Sequence, residues 1–223
     1  MPSAKALELL DDNDEIIFEA ALEYLEQMGA DVGDAAPDQS FYDKWAKLGL
    51  GVFTPILWIV LMDGAIGTAN SFPGHDIFTD DFIENQAATF ADSYTFDLIK
   101  GITDTTQKAL QKIFSEAMEQ GLGDDIIAEK LLPFFGERRA KLIAINESTR
   151  VWNEGAELAA DQLRSEGLEL ATIWRTINDS RVDDICRTYE GQPRGTAWNN
   201  LPPAHIGCRC FVTHEVLRDD DTG

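Results

Sequence analysis

Positive charge is the scarcest property of this chain. Its 223 residues carry 18 Lys and Arg against 40 Asp and Glu, for a net charge of −22. Such a surface repels phosphates over about a Debye length, ~8–10 Å at physiological salt. Broad nucleic-acid binding needs clustered Lys and Arg and is therefore disfavoured; Arg138, Arg139 and Lys141 form the one local exception. Catalytic signatures are missing too. There is no glycine-rich phosphate loop, no His-Glu-x-x-His and no serine nucleophile elbow. The longest uncharged run, Leu48–Met62, ends at Asp63 and falls short of the roughly 20 residues that a membrane span needs. Repeats and low-complexity tracts are absent. Met1–Lys5 leads into acidic sequence rather than into a basic start and an apolar core, so synthesis in the cytoplasm is expected.

What is there is enough to fold. A hydrophobic content of 44% places the chain among globular proteins. Lys is reduced to eight residues, and the acids are spread along the chain instead of gathering in one tail. A host with a salt-rich cytoplasm would make that surface tolerable by screening; an ordinary acidic protein facing a basic partner would show it as well. The halophilic reading is the favoured one.

Soft ligands are few and concentrated. All three cysteines and one of three histidines fall between Cys186 and Cys210, with Pro202-Pro203-Ala204-His205-Ile206-Gly207-Cys208-Arg209-Cys210 at the end. Three thiols and one imidazole are the complement of a tetrahedral Cys3His zinc site, so Cys186, His205, Cys208 and Cys210 are the candidate ligands. The H-x2-C-x-C spacing, with Cys186 arriving from a separate segment, closes a loop of about 20 residues, and binding energy there is largely folding energy. Two other readings stand beside it: a disulfide from Cys186 to one of the others, and thiols that are merely packed. Cytoplasmic synthesis favours free or metal-bound thiols. Four protein ligands would leave no open position for a catalytic water.

The rest of the chain reads mainly as helix. Asp12, Asn13 and Asp14 offer caps to a helix carrying Ile17, Ala21, Tyr24, Leu25 and Met28, with a stop at Gly29. Residues 31–40 read as a linker, which makes 1–40 an N-terminal arm that folds back on its own domain or docks on a neighbour. Thr54-Pro55 predicts a helix start within Leu48–Met62, a buried segment or an apolar surface covered by a partner, and Gly64–Gly74 predicts a loop. Thr79 caps a helix with Ile83, Ala87, Phe90, Tyr94 and Leu98 on one face. A second helix starts near Thr103-Asp104 with Leu110, Ile113, Phe114, Ala117 and Met118, and ends at Gly121. A short helix from Asp124 is expected to stop at Pro133. A long one from Glu137 runs to about Glu166 and Gly167, with Glu147 and Arg150 spaced to pair. Strands are expected at Leu170–Ile177 and Arg209–Val216, before an acidic tail. The division is 1–40, 41–136, 137–218 and 219–223. The fold class is α+β, mainly α-helical, with a small C-terminal α+β lobe.

The C-terminal third also carries a family pattern. Ile143-Ala144-Ile145-Asn146-Glu147 is followed by Asn153-Glu154-Gly155, Trp174, Asp179-Ser180-Arg181-Val182, Cys186, Tyr189-Glu190-Gly191 and the Cys-Arg-Cys close. In this order and spacing, residues 137–216 resemble the phage Mu F-like minor head proteins, or head morphogenesis proteins, of tailed viruses. Tyr189-Glu190 departs from the leucine usual in that motif, and Ile206-Gly207 replaces Pro-Asn before Cys208. The resemblance implies a structural virion protein made in the host cytoplasm. It would sit in the capsid interior or at the portal vertex, contact the portal protein and the major capsid protein, and act in head morphogenesis or genome delivery. In that family the long helix packs on the cysteine-bearing segment, so one of its polar residues is expected to brace that lobe. The alternatives are a metal-dependent hydrolase or nuclease and a regulatory zinc module. Their candidate parts are Asp179, Asp183, Asp184, Glu190 and His205, with Cys186 as a nucleophile.

Overall fold

The computed structural model describes residues 4–217 except 33–36, 76, 80–81, 83–85, 87 and 121–123. The element order is α1 (Ala4–Ala30), α2 (Gln39–Ala69), α3 (Ala88–Gln120), α4 (Asp124–Phe135), α5 (Glu137–Ser165), β1 (Leu170–Arg175), α6 (Asp184–Tyr189) and β2 (Phe211–Val216). The strands pair antiparallel, with Leu170 opposite Val216 and Arg175 opposite Phe211. The mainly helical α+β expectation holds.

Helix α5 organises the molecule, because it touches α1, α2, α4 and both strands. Its buried face is built from small residues, Ala140, Ala144, Ala156, Ala159 and Ala160, which let neighbours approach closely. At the crossing with α2 the two backbones meet. A Cβ on Gly64 would stand 1.9 Å from the Trp152 carbonyl oxygen, and one on Gly155 would stand 1.9 Å from that of Leu61. Around this crossing Ile17, Leu25 and Met28 of α1, Phe53, Leu57 and Leu61 of α2, and Leu110 of α3 are fully buried. Each such side chain contributes roughly 1.5–3 kcal/mol. The C-terminal lobe attaches through Trp152 against Phe211 and is filled by Trp174, which packs edge-on against Tyr189 and Trp198.

Several helix boundaries differ from the sequence reading. Asp12, Asn13 and Asp14 do not cap α1; they lie inside it, where Asn13 is buried and Asp14 accepts a hydrogen bond from Ser148 of α5. The cap of α2 is Asp38, which accepts from the N–H groups of Ser40 and Phe41, and Pro55 lies in the helix interior. That proline is exposed, and helix continues through it because the flanking Phe53 and Leu57 are pinned in the core. The expected loop from Gly64 starts only at Asn70, since Gly64 serves the α5 crossing rather than a turn. The apolar run is thus neither wholly buried nor wholly surface. The 31-residue helix that holds it has the length and composition to cross a membrane, yet α1, α3 and α5 pack against it.

Thr103 does not open a second helix. Its hydroxyl donates to the Ile99 carbonyl, so α3 continues as one helix. Thr79 does accept from Phe82 N–H, while Ile83 and Ala87 lie outside the described residues. Pro133 does not stop α4, which runs on to Phe135. The break comes at Gly136, the N-cap of α5. Arg139 then ties three helices together, donating to the carbonyls of Ile102 and Phe134 and to the Thr106 hydroxyl. This guanidinium faces inward and is not part of a basic patch. Gly167, at φ 98°, follows the end of α5 as expected. The acidic tail lies outside the described residues.

Candidate metal centre

Two segments bring the soft ligands together. Asp183 caps α6 by accepting from Ile185 N–H, which sets Cys186 one turn in and fully buried. Asp183 and Asp184 are therefore a helix start. The other ligands come from the loop before β2. There Cys208 N–H donates to the His205 carbonyl at 3.1 Å, and Gly207 takes φ 79°, a left-handed turn that favours glycine.

The ligand atoms of Cys186, His205 and Cys208 all lie within 4.8 Å of one another. The Sγ atoms of Cys186 and Cys208 are 3.8 Å apart. A tetrahedral zinc ion with Zn–S bonds of about 2.3 Å sets its sulfurs at about that separation, whereas a disulfide needs ~2.05 Å. The three cysteines are free. Cys210 stands outside that mutual set of three but lines the same void, whose volume of about 10 Å³ is the room of one water-sized sphere. A single ion fits there; an organic ligand does not.

Three buried thiols in one place cannot all ionise. The hydrogen bond from Cys210 pulls the Cys208 pKa down to about 5. Burial, with the Cys208 charge beside it, pushes Cys186 up to about 12. Cys210 is raised, first by its hydrogen bond to Cys208 and then by burial. Cys186 is fully buried, which denies it the exposure that a nucleophile requires.

The ligand loop is held by one face of α5. Asn146 Oδ1 accepts from Gly207 N–H at 3.0 Å. Thr149 Oγ1 donates to the Cys208 carbonyl at 2.9 Å. Asn153 donates from Nδ2 to the Cys210 carbonyl at 3.2 Å and accepts at Oδ1 from Val212 N–H at 2.7 Å. These residues recur at three- and four-residue spacing, so they share a helix face. From the opposite segment, Asp179 accepts from Arg209 at 2.5 Å and from Arg181 N–H at 2.9 Å. The Arg209 and Arg181 hydrogen bonds hold its carboxyl below the usual range against the opposing effect of burial. The residue between Cys208 and Cys210 is thereby tethered to the turn that leads into α6.

Other acids singled out in the sequence have structural partners. Glu190 accepts from the N–H and hydroxyl of Thr176. Glu147 accepts from the Tyr94 hydroxyl instead of pairing directly with Arg150. Burial raises its pKa, against the Tyr94 hydrogen bond and the Arg150 charge. Glu157, not singled out in the sequence, gathers Arg164, Arg194, Thr172 and the buried His214 around one carboxylate. Burial raises its pKa, but the His214 hydrogen bond and the surrounding positive charge bring it down to about 2.

Of the α5 bracing residues, Asn146 and Asn153 both lie in the motifs that carry the resemblance, which implied one polar brace on this helix without saying which. Thr149 was missed, although a polar residue every three or four positions on an otherwise alanine-rich face was a legible cue.

Residues 108–213 match the family model of phage Mu protein F like protein. The match bears out the resemblance read from the motifs, takes in all four candidate ligands, and begins within α3, ahead of the first motif. Searches of the curated proteins and of the solved structures return no match.

Proposed function

We propose that this chain is a structural minor head protein of a tailed virus. In this reading it is held at or near the portal vertex and acts in head morphogenesis or genome delivery. Its C-terminal lobe is closed by one structural zinc ion on Cys186, His205, Cys208 and Cys210. The observation that carries the functional reading is the family match over residues 108–213. The zinc reading rests on the void of single-ion size, the 3.8 Å sulfur separation and the three convergent donors. The ion would supply folding energy, as metals do in small lobes whose core alone is thin. The lobe has only two short strands and a six-residue helix around Trp174, so a metal staple suits it.

The partners in this reading are the portal protein and, through the head shell, the major capsid protein. The acidic surface suits a protein that does not grip DNA along its length. Cross-linking mass spectrometry on purified particles tests the placement. Cross-links from this chain to the portal protein are expected. Cross-links confined to tail proteins, or to no virion component, would contradict it.

A further inference from the structure

The four candidate ligands are not held alike. Cys186, Cys208 and Cys210 are 0%, 2% and 3% exposed. His205 is only half-buried, and it lies between the exposed Ala204 and Ile206. Each thiol also sits on backbone that is tied down from outside the ligand loop. Cys186 is one turn into α6, behind the Asp183 cap. The carbonyls of Cys208 and Cys210 accept from Thr149 and Asn153 of α5, at 2.9 and 3.2 Å. For His205 the ties are local. Its carbonyl accepts from Cys208 N–H at 3.1 Å, and its ring Nδ1 meets the carbonyl of the next residue, Ile206, at 3.0 Å. Among the described residues, no hydrogen bond runs from the His205 ring to α5 or α6.

We infer that His205 is the exchangeable ligand of the metal centre. It is the position through which an ion enters and leaves, and an imidazole or thiol donor from outside can take its place. The inference rests on the zinc reading and deepens it. Exchange needs an approaching donor and a departing side chain, and His205 alone among the four permits both. A thiol that turned out of the site would have to carry braced backbone with it. The His205 ring gives up one contact with its neighbour. Cys210 stands outside the mutual set of three, yet its burial and its Asn153 tie keep an outside donor from it. Charge sets the same order. Zinc takes cysteine as an anionic thiolate and histidine as a neutral imidazole, so loss of the ring sacrifices the least electrostatic attraction.

The test is zinc transfer from the zinc-loaded full chain to the coloured chelator pyridylazoresorcinol, with His205→Ala and Cys208→Ser beside wild type. His205→Ala should keep one zinc per chain and a folded C-terminal lobe. It should release the ion at least about tenfold faster than wild type, the lower end of what loss of a mere supporting group costs a metal site. Millimolar imidazole should slow that release back toward the wild-type rate and leave wild type unchanged, a rescue that general loosening of the lobe would not show. Cys208→Ser should retain no zinc. His205→Ala purified without zinc, release at the wild-type rate, or release that imidazole does not slow would each overturn the inference while the zinc reading stands. A wild-type chain that binds no zinc would remove both.

Discussion

The side-chain amide of Asn153 joins α5 to β2. Its Oδ1 accepts from the Val212 N–H at 2.7 Å, and its Nδ2 reaches back to the Cys210 carbonyl at 3.2 Å. The side chain is wholly buried, so neither backbone group has water to turn to. Asn153→Leu should cost about 2–6 kcal/mol, the sum of two buried groups left unpaired at about 1–3 kcal/mol each. Asn146→Ala, at a position less buried, should cost less. Chemical denaturation of the three proteins measures both differences, and equal stabilities would contradict the bracing role.

Gly64→Ala and Gly155→Ala should each disrupt the α2–α5 crossing, because the added methyl would meet a carbonyl oxygen at 1.9 Å. Backbone, unlike a flexible side-chain tip, cannot give way cheaply. Gly51→Ala lies in the same helix with nothing within 4 Å, and should stabilise by up to about 1 kcal/mol through helix propensity. Thermal melts of the three variants separate close packing from propensity.

Glu157 predicts an acid limb to the stability curve. Its folded pKa of about 2 lies below the ordinary value of 4.5. The stabilisation is therefore fully present above about pH 4.5 and is lost as the pH falls through about 2. A depression of this size corresponds to about 3 kcal/mol. Glu157→Gln should be less stable at neutral pH, and the gap to wild type should close on acidification. A gap that stays constant from pH 7 to pH 2 would contradict the network.

Zinc binding makes a separate prediction. Purified full-length chain should carry one zinc per molecule by elemental analysis, and a chelator should lower its melting temperature. Cys208→Ser and Cys186→Ser should lose the metal and unfold the C-terminal lobe. An unchanged melting profile together with no bound zinc would remove the metal from the account.

A salt-adapted host is one of the two readings of the acidity, and it makes a prediction of its own. The purified protein should gain stability between low and molar salt as its 40 acidic residues are screened. A flat response would leave an ordinary acidic protein that faces a basic partner.

The sequence disclosed some parts of this structure and hid others for physical reasons. The cysteine cluster was legible because soft ligands are rare, and α5 because its start and its glycine stop are local signals. Pro55 and Gly64 misled because each is a helix breaker by propensity, yet each is held in α2 by tertiary contacts that no local window contains. Thr103 misled similarly: a threonine can cap a helix or back-bond within one, and only the continuity of α3 decides. The Glu157 cluster could not be read, since Arg164, Thr172, Arg194 and His214 converge from α5, both strands and an intervening loop.

The central claim is that this chain is a minor component of a virus head. Quantitative mass spectrometry of purified particles, relative to the major capsid protein, tests it most directly. The account predicts that the chain is present at a ratio far below one per capsid protein, in keeping with a single vertex. Absence from particles that package normally, or abundance equal to that of the shell protein, would contradict it.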